Sequence, residues 1–274
     1  MLSIATDRIL NAIKETGNLH DAVTKVHTGQ TVHRAFEIYP SPESRHWESC
    51  RIRPVSDWAF SQMFAELDRR DTDGAYNFYR IIQGSRDSAS LGGKMFEIKA
   101  HIFFRSITEP RNFTIRSLDN PMTTFDIEFS SSTTHDTFGS DQRFSGHLVS
   151  FVKSGQSCYL RPLSPIFPTF DSFLYQHEMF QPGCQPLIGF QITTAREHRI
   201  SVKGLAAIQA CLKDKVPELK ALRPTAKAKW IILFVVPDDM AASFVTQQFK
   251  DAAHWGLKTT QYVLGLSERE VIRS

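Results

Sequence analysis

The chain has 274 residues, enough for one large domain or two small ones, and its 41% hydrophobic and 22% charged residues are ordinary for a globular protein. A net charge of +3 permits a polyanionic partner without demanding one. The four cysteines (Cys50, Cys158, Cys184, Cys211) stand far apart with no CxxC pair, which excludes a disulfide scaffold and implies reduced thiols in an intracellular setting, nuclear or cytoplasmic, in its own cell or in a host that receives it.

The opening stretch "MLSIATDRILNAIKETGN" repeats apolar residues at Ile4, Ile9, Leu10 and Ile13 and stops at Gly17. Asp7, Arg8, Lys14 and Glu15 interrupt the apolar pattern, so it reads as an amphipathic helix and not a signal peptide. A loop carrying Pro40, Pro42 and Pro54 follows. In "VSDWAFSQMFAELDRRD", Trp58, Met63, Phe64 and Leu67 recur near helical spacing behind a cap at Ser56 or Asp57, and 76–82 continue in the same style. Residues 1–85 therefore form a helical N-terminal region, and 86–274 a second domain.

That domain begins with a helix at "ASLGGKMFEIKAHIFFRSI", entered through Gly92 and Gly93. From about 113 to 194 the period changes to two, and "FTIRSL", "TTFDIEF", "GHLVSFV", "SCYLRPL", "TFDSFLY" and "LIGFQITTA" are expected as strands. A helix at "VKGLAAIQACLKDKV" ends near Pro217, and "AKWIILFVVP" has the two-sided apolar pattern of a central strand. The pattern closes with a helix at "DMAASFVTQQF" and a short strand at "TQYVLGL". The longest apolar run, Trp230 to Pro237, is too short to cross a bilayer, so no membrane partner is expected. The sum is an α+β fold: a helical front, one mixed sheet, and helices laid on it.

Several chemistries are missing. Gly84 to Lys94 has the wrong spacing for a phosphate loop and is followed by Met95 where Ser or Thr is needed. No Cys or His pair has zinc-ligand spacing, and no GxSxG elbow occurs. What stands out is Asp171 inside "FPTFDSFLYQ". Strand alternation puts Asp171 with Phe173 and Tyr175, and Phe170 with Ser172 and Leu174. In "GFQITTA", Gln191 and Thr193 share one face. If the two strands are neighbours, an acid, an amide oxygen and a hydroxyl converge, a set of oxygens suited to Mg²⁺ or Mn²⁺. The alternative is a carboxylate that simply accepts backbone or hydroxyl hydrogen bonds at a strand end.

The series "GGKMFEIKAHIFF", "YLRPLSPIFPTFDSFLY", "GFQITTAREHRISVKGL" and "KWIILFVVP" resembles the C-terminal nuclease-like domain of Crinkler-type and retrotransposon-hot-spot-type proteins. The resemblance covers roughly residues 85 to 265. It implies a restriction-endonuclease-like, PD-(D/E)XK architecture and a metal-dependent nuclease acting on DNA more than on RNA. It also implies the site residues: Glu97 as an acid beside the metal, Asp171 as the central metal-binding aspartate, and Gln191 in the place of the second acid, with Mg²⁺ (or Mn²⁺) as cofactor. Thr193 occupies the usual lysine position, which is the main departure. Lys203, at the entry to the next helix, is the candidate replacement, and His198 in the intervening turn is a candidate phosphate contact.

Each residue also has a plainer reading. Glu97 can pair with a nearby cation on its helix, Gln191 and Thr193 can be satisfied strand residues, and Lys203 can face solvent. The functional alternative is a catalytically decayed nuclease fold that binds nucleic acid or protein as an effector module. Residues 1–85 would then be the docking surface for a protein partner. No P-loop NTPase accompanies the domain in this chain.

Overall fold

The computed structural model describes residues 11, 36–40, 50–54, 57–70, 72–84, 89–139, 141–163, 167, 169–177, 183–213, 215–250 and 253–274. The first expected helix, apart from position 11, lies outside them, as do Pro42 and Ser56. The chain divides into two compact units, Met1–Ile102 with Glu268–Ser274, and Phe103–Ser267.

In the first unit, β1 (Phe36–Pro40) and β2 (Cys50–Pro54) pair antiparallel. Pro40 and Pro54 of the expected loop thus belong to a two-stranded sheet. Pro40 and Pro54 are tolerated because both sit at strand ends, where a missing N–H costs no ladder bond. Helices α1 (Asp57–Arg70) and α2 (Thr72–Gly84) follow, and α3 (Ala89–Ser106) carries the chain into the second unit. Gly92 lets α3 approach α2 closely, since a Cβ there would lie 2.8 Å from the Gln83 side chain. The last helix, α8 (Glu268–Ile272), is tied to α2: Tyr79 donates to Glu268 at 2.6 Å, and Arg273 pairs with Asp73.

The second unit holds one mixed sheet of eight strands in the order β4-β3-β12-β10-β8-β7-β6-β5, which makes the fold α+β as expected. In chain order these are β3 (Arg111–Ser117), β4 (Thr124–Phe129), β5 (Thr134–Phe138), β6 (Cys158–Pro162), β7 (Ser172–Tyr175), β8 (Cys184–Ile192), β10 (Lys229–Pro237) and β12 (Thr259–Leu266). β8, β10 and β12 run parallel, and β7 joins β8 antiparallel. β10 is central and buried from Trp230 to Pro237, as its two-sided apolar run requires. β12, expected as a short strand, is a full central neighbour of β10.

Both faces are covered. One carries an aromatic cluster in which Phe104 of α3 stacks on Phe129 at 4.8 Å and meets Phe190 and Tyr159 edge-on or tilted at 5.7 Å. The other packs Phe173, Ile232 and Phe234 against α4 (Asp141–Ser154) and α5 (Val202–Cys211) through Phe144, Leu148, Leu205 and Ile208. Each such side chain stabilises the fold by about 1.5–3 kcal/mol when fully buried. The sheet curls enough for Gln176, just after β7, to donate to the Glu128 carbonyl of β4 at 2.7 Å, although four strands separate β4 from β7 in the sheet order.

Two expectations are corrected and one strand is added. "GHLVSFV" belongs to α4 and not to a strand: Phe144, Ser145 and Leu148 are buried at helical spacing, with Phe151 and Val152 half-buried behind them. "THDTF", absent from the expected strands, is the edge strand β5, whose polar side chains mask its period. "DMAASFVTQQF" is helical only over α7 (Asp238–Ala241). Tertiary contacts override its helix propensity: Phe244 packs on Phe234 at 5.3 Å, and buried Gln247 exchanges hydrogen bonds with Gln261. The short helix α6 (Pro217–Ala221) starts at the proline expected to stop α5, because Pro suits a first helical turn.

Candidate functional site

β7 and β8 pair in the register Ser172↔Phe190, Phe173↔Gly189, Leu174↔Ile188, Tyr175↔Leu187. The two segments that carry Asp171 and Gln191 are therefore neighbours in one sheet, and both residues stand at the carboxyl end of β8. In open sheets with parallel strands that end is where ligands bind. Gln191 is also paired with Phe234 of β10, a residue of the α4/α5 face.

Thr169 sets the local geometry. Its φ of 73° turns the chain out of the ladder just before β7. The next ladder position is filled by a side chain: the Asp171 N–H donates to the Phe190 carbonyl at 2.9 Å, and Asp171 Oδ2 accepts from the Ile192 N–H at 2.7 Å. Half-buried Asp171 therefore does the job of the plainer reading, terminating a strand. Phe170, expected on the face of Ser172, instead packs on Phe173 at 5.3 Å and covers Gly189, where a Cβ would lie 2.5 Å from its ring. The alternation fails because β7 begins only at Ser172.

Gln191 is buried, at 2% exposure. Its Nε2 donates to the Thr169 carbonyl at 2.7 Å, and that carbonyl fixes the amide orientation because it accepts only a donor. Oε1 is then turned away, buried and without a hydrogen-bond donor among the described residues. Such an orphaned acceptor costs about 1–3 kcal/mol. Thr169 continues the chain of contacts, its hydroxyl donating to the Ser201 carbonyl at 3.0 Å. The Ser201 side chain caps α5 by accepting from the Gly204 N–H.

The other candidates sit as follows. β8 has ended by Thr193, whose N–H donates to the Val235 carbonyl and whose hydroxyl accepts from the Ala195 N–H at 3.0 Å, so it shapes a turn. Lys203 is exposed in the first turn of α5, two residues after the cap. The His198 backbone N–H donates to Gln247 at 2.6 Å, and burial of the half-exposed ring lowers its pKa and favours the neutral form. Glu97 belongs to the first unit, where it pairs with Lys94 on its own helix at 2.8 Å, the plainer reading of that residue. Sequence reasoning missed Thr169, whose positive φ has no local signature. It also missed Gly189, although a glycine inside a strand signals a close approach.

The donor set decides which ion the residues fit. Among the described residues no group of three His, Cys, Asp or Glu side chains is placed to hold a metal. Asp171 and Gln191 occupy the next positions beyond the Ser172↔Phe190 pair, one bringing a carboxylate that accepts from the Ile192 N–H and the other the orphaned Oε1. That pair does not fit zinc. Oxygen donors are the type that suits Mg²⁺, which keeps several waters and takes one or two carboxylates plus substrate phosphate. No helix among the described residues is long and apolar enough to cross a membrane. Compared with protein-family models, curated proteins and solved structures, the chain matches none.

Proposed function

We propose that the carboxyl end of β8 is a phosphodiester site and that the chain is a Mg²⁺- or Mn²⁺-dependent nuclease, with DNA as the first substrate class. The observations that support this reading are an Asp171 carboxylate one position beyond the Ser172↔Phe190 pair and the buried, donor-less Oε1 of Gln191 on the facing strand. The ion, when bound, lowers the pKa of a water and neutralises charge on the phosphate. Asp171 holds it by charge and Gln191 by its amide oxygen, while the exposed ammonium of Lys203 meets substrate phosphate.

A second reading is a decayed nuclease fold that binds nucleic acid without cutting it. It is favoured by the Thr193 hydroxyl being engaged in a turn where a lysine is usual. Plasmid nicking across a Mg²⁺ and Mn²⁺ series separates the two. Asp171→Asn keeps an acceptor for the Ile192 N–H but removes the charge, so the folded variant should lose cleavage. Equal nicking by the variant and the wild type at every metal concentration rules out the nuclease, and binding without nicking selects the second reading.

A further inference from the structure

The loop that leaves β8 is pinned at close intervals. Thr193 and Ala195 are held as described, and Gln247 Nε2 donates to the Arg196 carbonyl at 3.3 Å and to the Val245 carbonyl at 2.7 Å. Gln247 Oε1 accepts from the His198 N–H, and the Ile200 N–H donates to the Gln248 carbonyl. Beyond it, β9 (Ile200–Ser201) pairs in parallel with β11 (Phe249–Lys250). Gln247 is itself 5% exposed and locked to Gln261 in both directions. A loop held this way has little backbone entropy left to lose on binding.

What the loop displays is cationic. Arg196, Arg199 and Lys203 are all exposed. None of these three side chains makes an ion pair or hydrogen bond among the described residues. Against them stands the single carboxylate of Glu197, so positions 196–203 carry three positive charges and one negative, for a net of +2, out of +3 for the whole chain. His198, flanked by the two arginines, is half-buried and favours its neutral form.

We infer that Arg196 and Arg199, and not His198, are the phosphate contacts of a nucleic-acid-binding loop, with Lys203 extending the track to the start of α5. This inference rests on the reading of the β8 end as a nucleic-acid site, and specifies how the strand is gripped. Arginine suits the role because its planar fork donates to two phosphate oxygens at once. Gln247 is the positioning residue of the loop.

The test is the salt dependence of binding to a fluorescein-labelled 20-base-pair duplex DNA, read by anisotropy in EDTA so that no cleavage intervenes. Each phosphate contact contributes about 0.9 to the log–log slope. The double variant R196A/R199A should therefore lower that slope by about 1.8. Between 50 and 200 mM salt the wild type should lose about 12-fold more affinity than the variant. H198A should leave the slope unchanged. So should K213A/K215A, which removes two exposed lysines beyond the far end of α5. An unchanged slope in R196A/R199A, an equal drop in K213A/K215A, or a wild type that does not bind the duplex overturns the inference. Loss of nicking in Asp171→Asn alongside an unchanged R196A/R199A slope would sink this proposal and leave the nuclease reading intact. The reverse pair of results would do the opposite.

Discussion

Replacing the Gln191 amide by a carboxylate, Gln191→Glu, tests the geometry of the site and its chemistry together. In the wild type, Nε2 donates to the Thr169 carbonyl at 2.7 Å. A carboxylate there presents oxygen to oxygen, which removes a hydrogen bond worth about 0.5–1.5 kcal/mol net and leaves a buried carbonyl unmet. The introduced charge would also sit at a position only 2% exposed, so its pKa should rise. The combined loss at pH 7 without metal is about 2–4 kcal/mol, or roughly 4–16 °C in Tm for a chain of this size.

The pH dependence follows from the sign of that shift. The folded-state pKa of the introduced acid lies above its unfolded value of about 4.3, so the destabilisation is full above the folded pKa. It fades as pH falls toward 4.3, where the protonated acid donates to Thr169 as the amide does. Metal should reverse the loss at neutral pH, since two carboxylates would then share one ion. Mg²⁺ at 100 times its Kd contributes about 2.7 kcal/mol. Urea and thermal unfolding, each in EDTA and in Mg²⁺, read both effects. A variant as stable as wild type in EDTA at pH 7 would refute the amide orientation. An equal deficit with and without Mg²⁺ would refute the ion site.

The remaining expectations are simpler. Asp171→Ala should cost about 1–3 kcal/mol by leaving the Ile192 N–H without its acceptor, whereas Asp171→Asn should stay close to wild type in a urea titration. Gly189→Ala should destabilise by about 1–3 kcal/mol, because the new methyl meets the Phe170 ring at 2.5 Å, and a wild-type urea midpoint would refute that contact. Burial lowers the pKa of His135, with Arg105 adding to the effect, and burial alone lowers that of His198. Their contribution to stability is full above the unfolded value of about 6.5 and is lost as pH falls from there toward the folded values. Substituting both by Gln should flatten the stability profile between pH 7 and 5.

The parts of the fold that were legible are those where one physical demand dominates. β10 is buried on both faces, so its apolar run had one reading. β8 is likewise buried without a break from Pro186 to Ile192, and α5 buries Gly204, Leu205 and Ile208 at helical spacing. The failures come from competing demands. Phe144, Leu148 and Phe151 of α4 satisfy a helical face, but the subset from 146 to 152 also alternates well enough to pass for a strand. The segment after α7 leaves the helix, because Phe244 docks on Phe234 and Gln247 is held between Arg196 and Gln261. β5 was hidden because an edge strand needs polar side chains and so loses its apolar signal.

At the site, the pairing of the strands that carry Asp171 and Gln191 was legible in their apolar patterning, although alternation breaks down at Phe170, before β7 begins. What lay beyond the sequence was the turn at Thr169, and with it the answer to why an apolar strand keeps an acid. The two readings of Asp171 are compatible, because they draw on different properties of one carboxylate. Ending β8 requires only an acceptor near the Ile192 N–H, which asparagine also supplies. Holding a cation beside the buried Oε1 of Gln191 requires the charge, which asparagine lacks. A purely structural position would therefore tolerate Asn. A position that Asn leaves folded but inactive carries a function that strand termination does not explain.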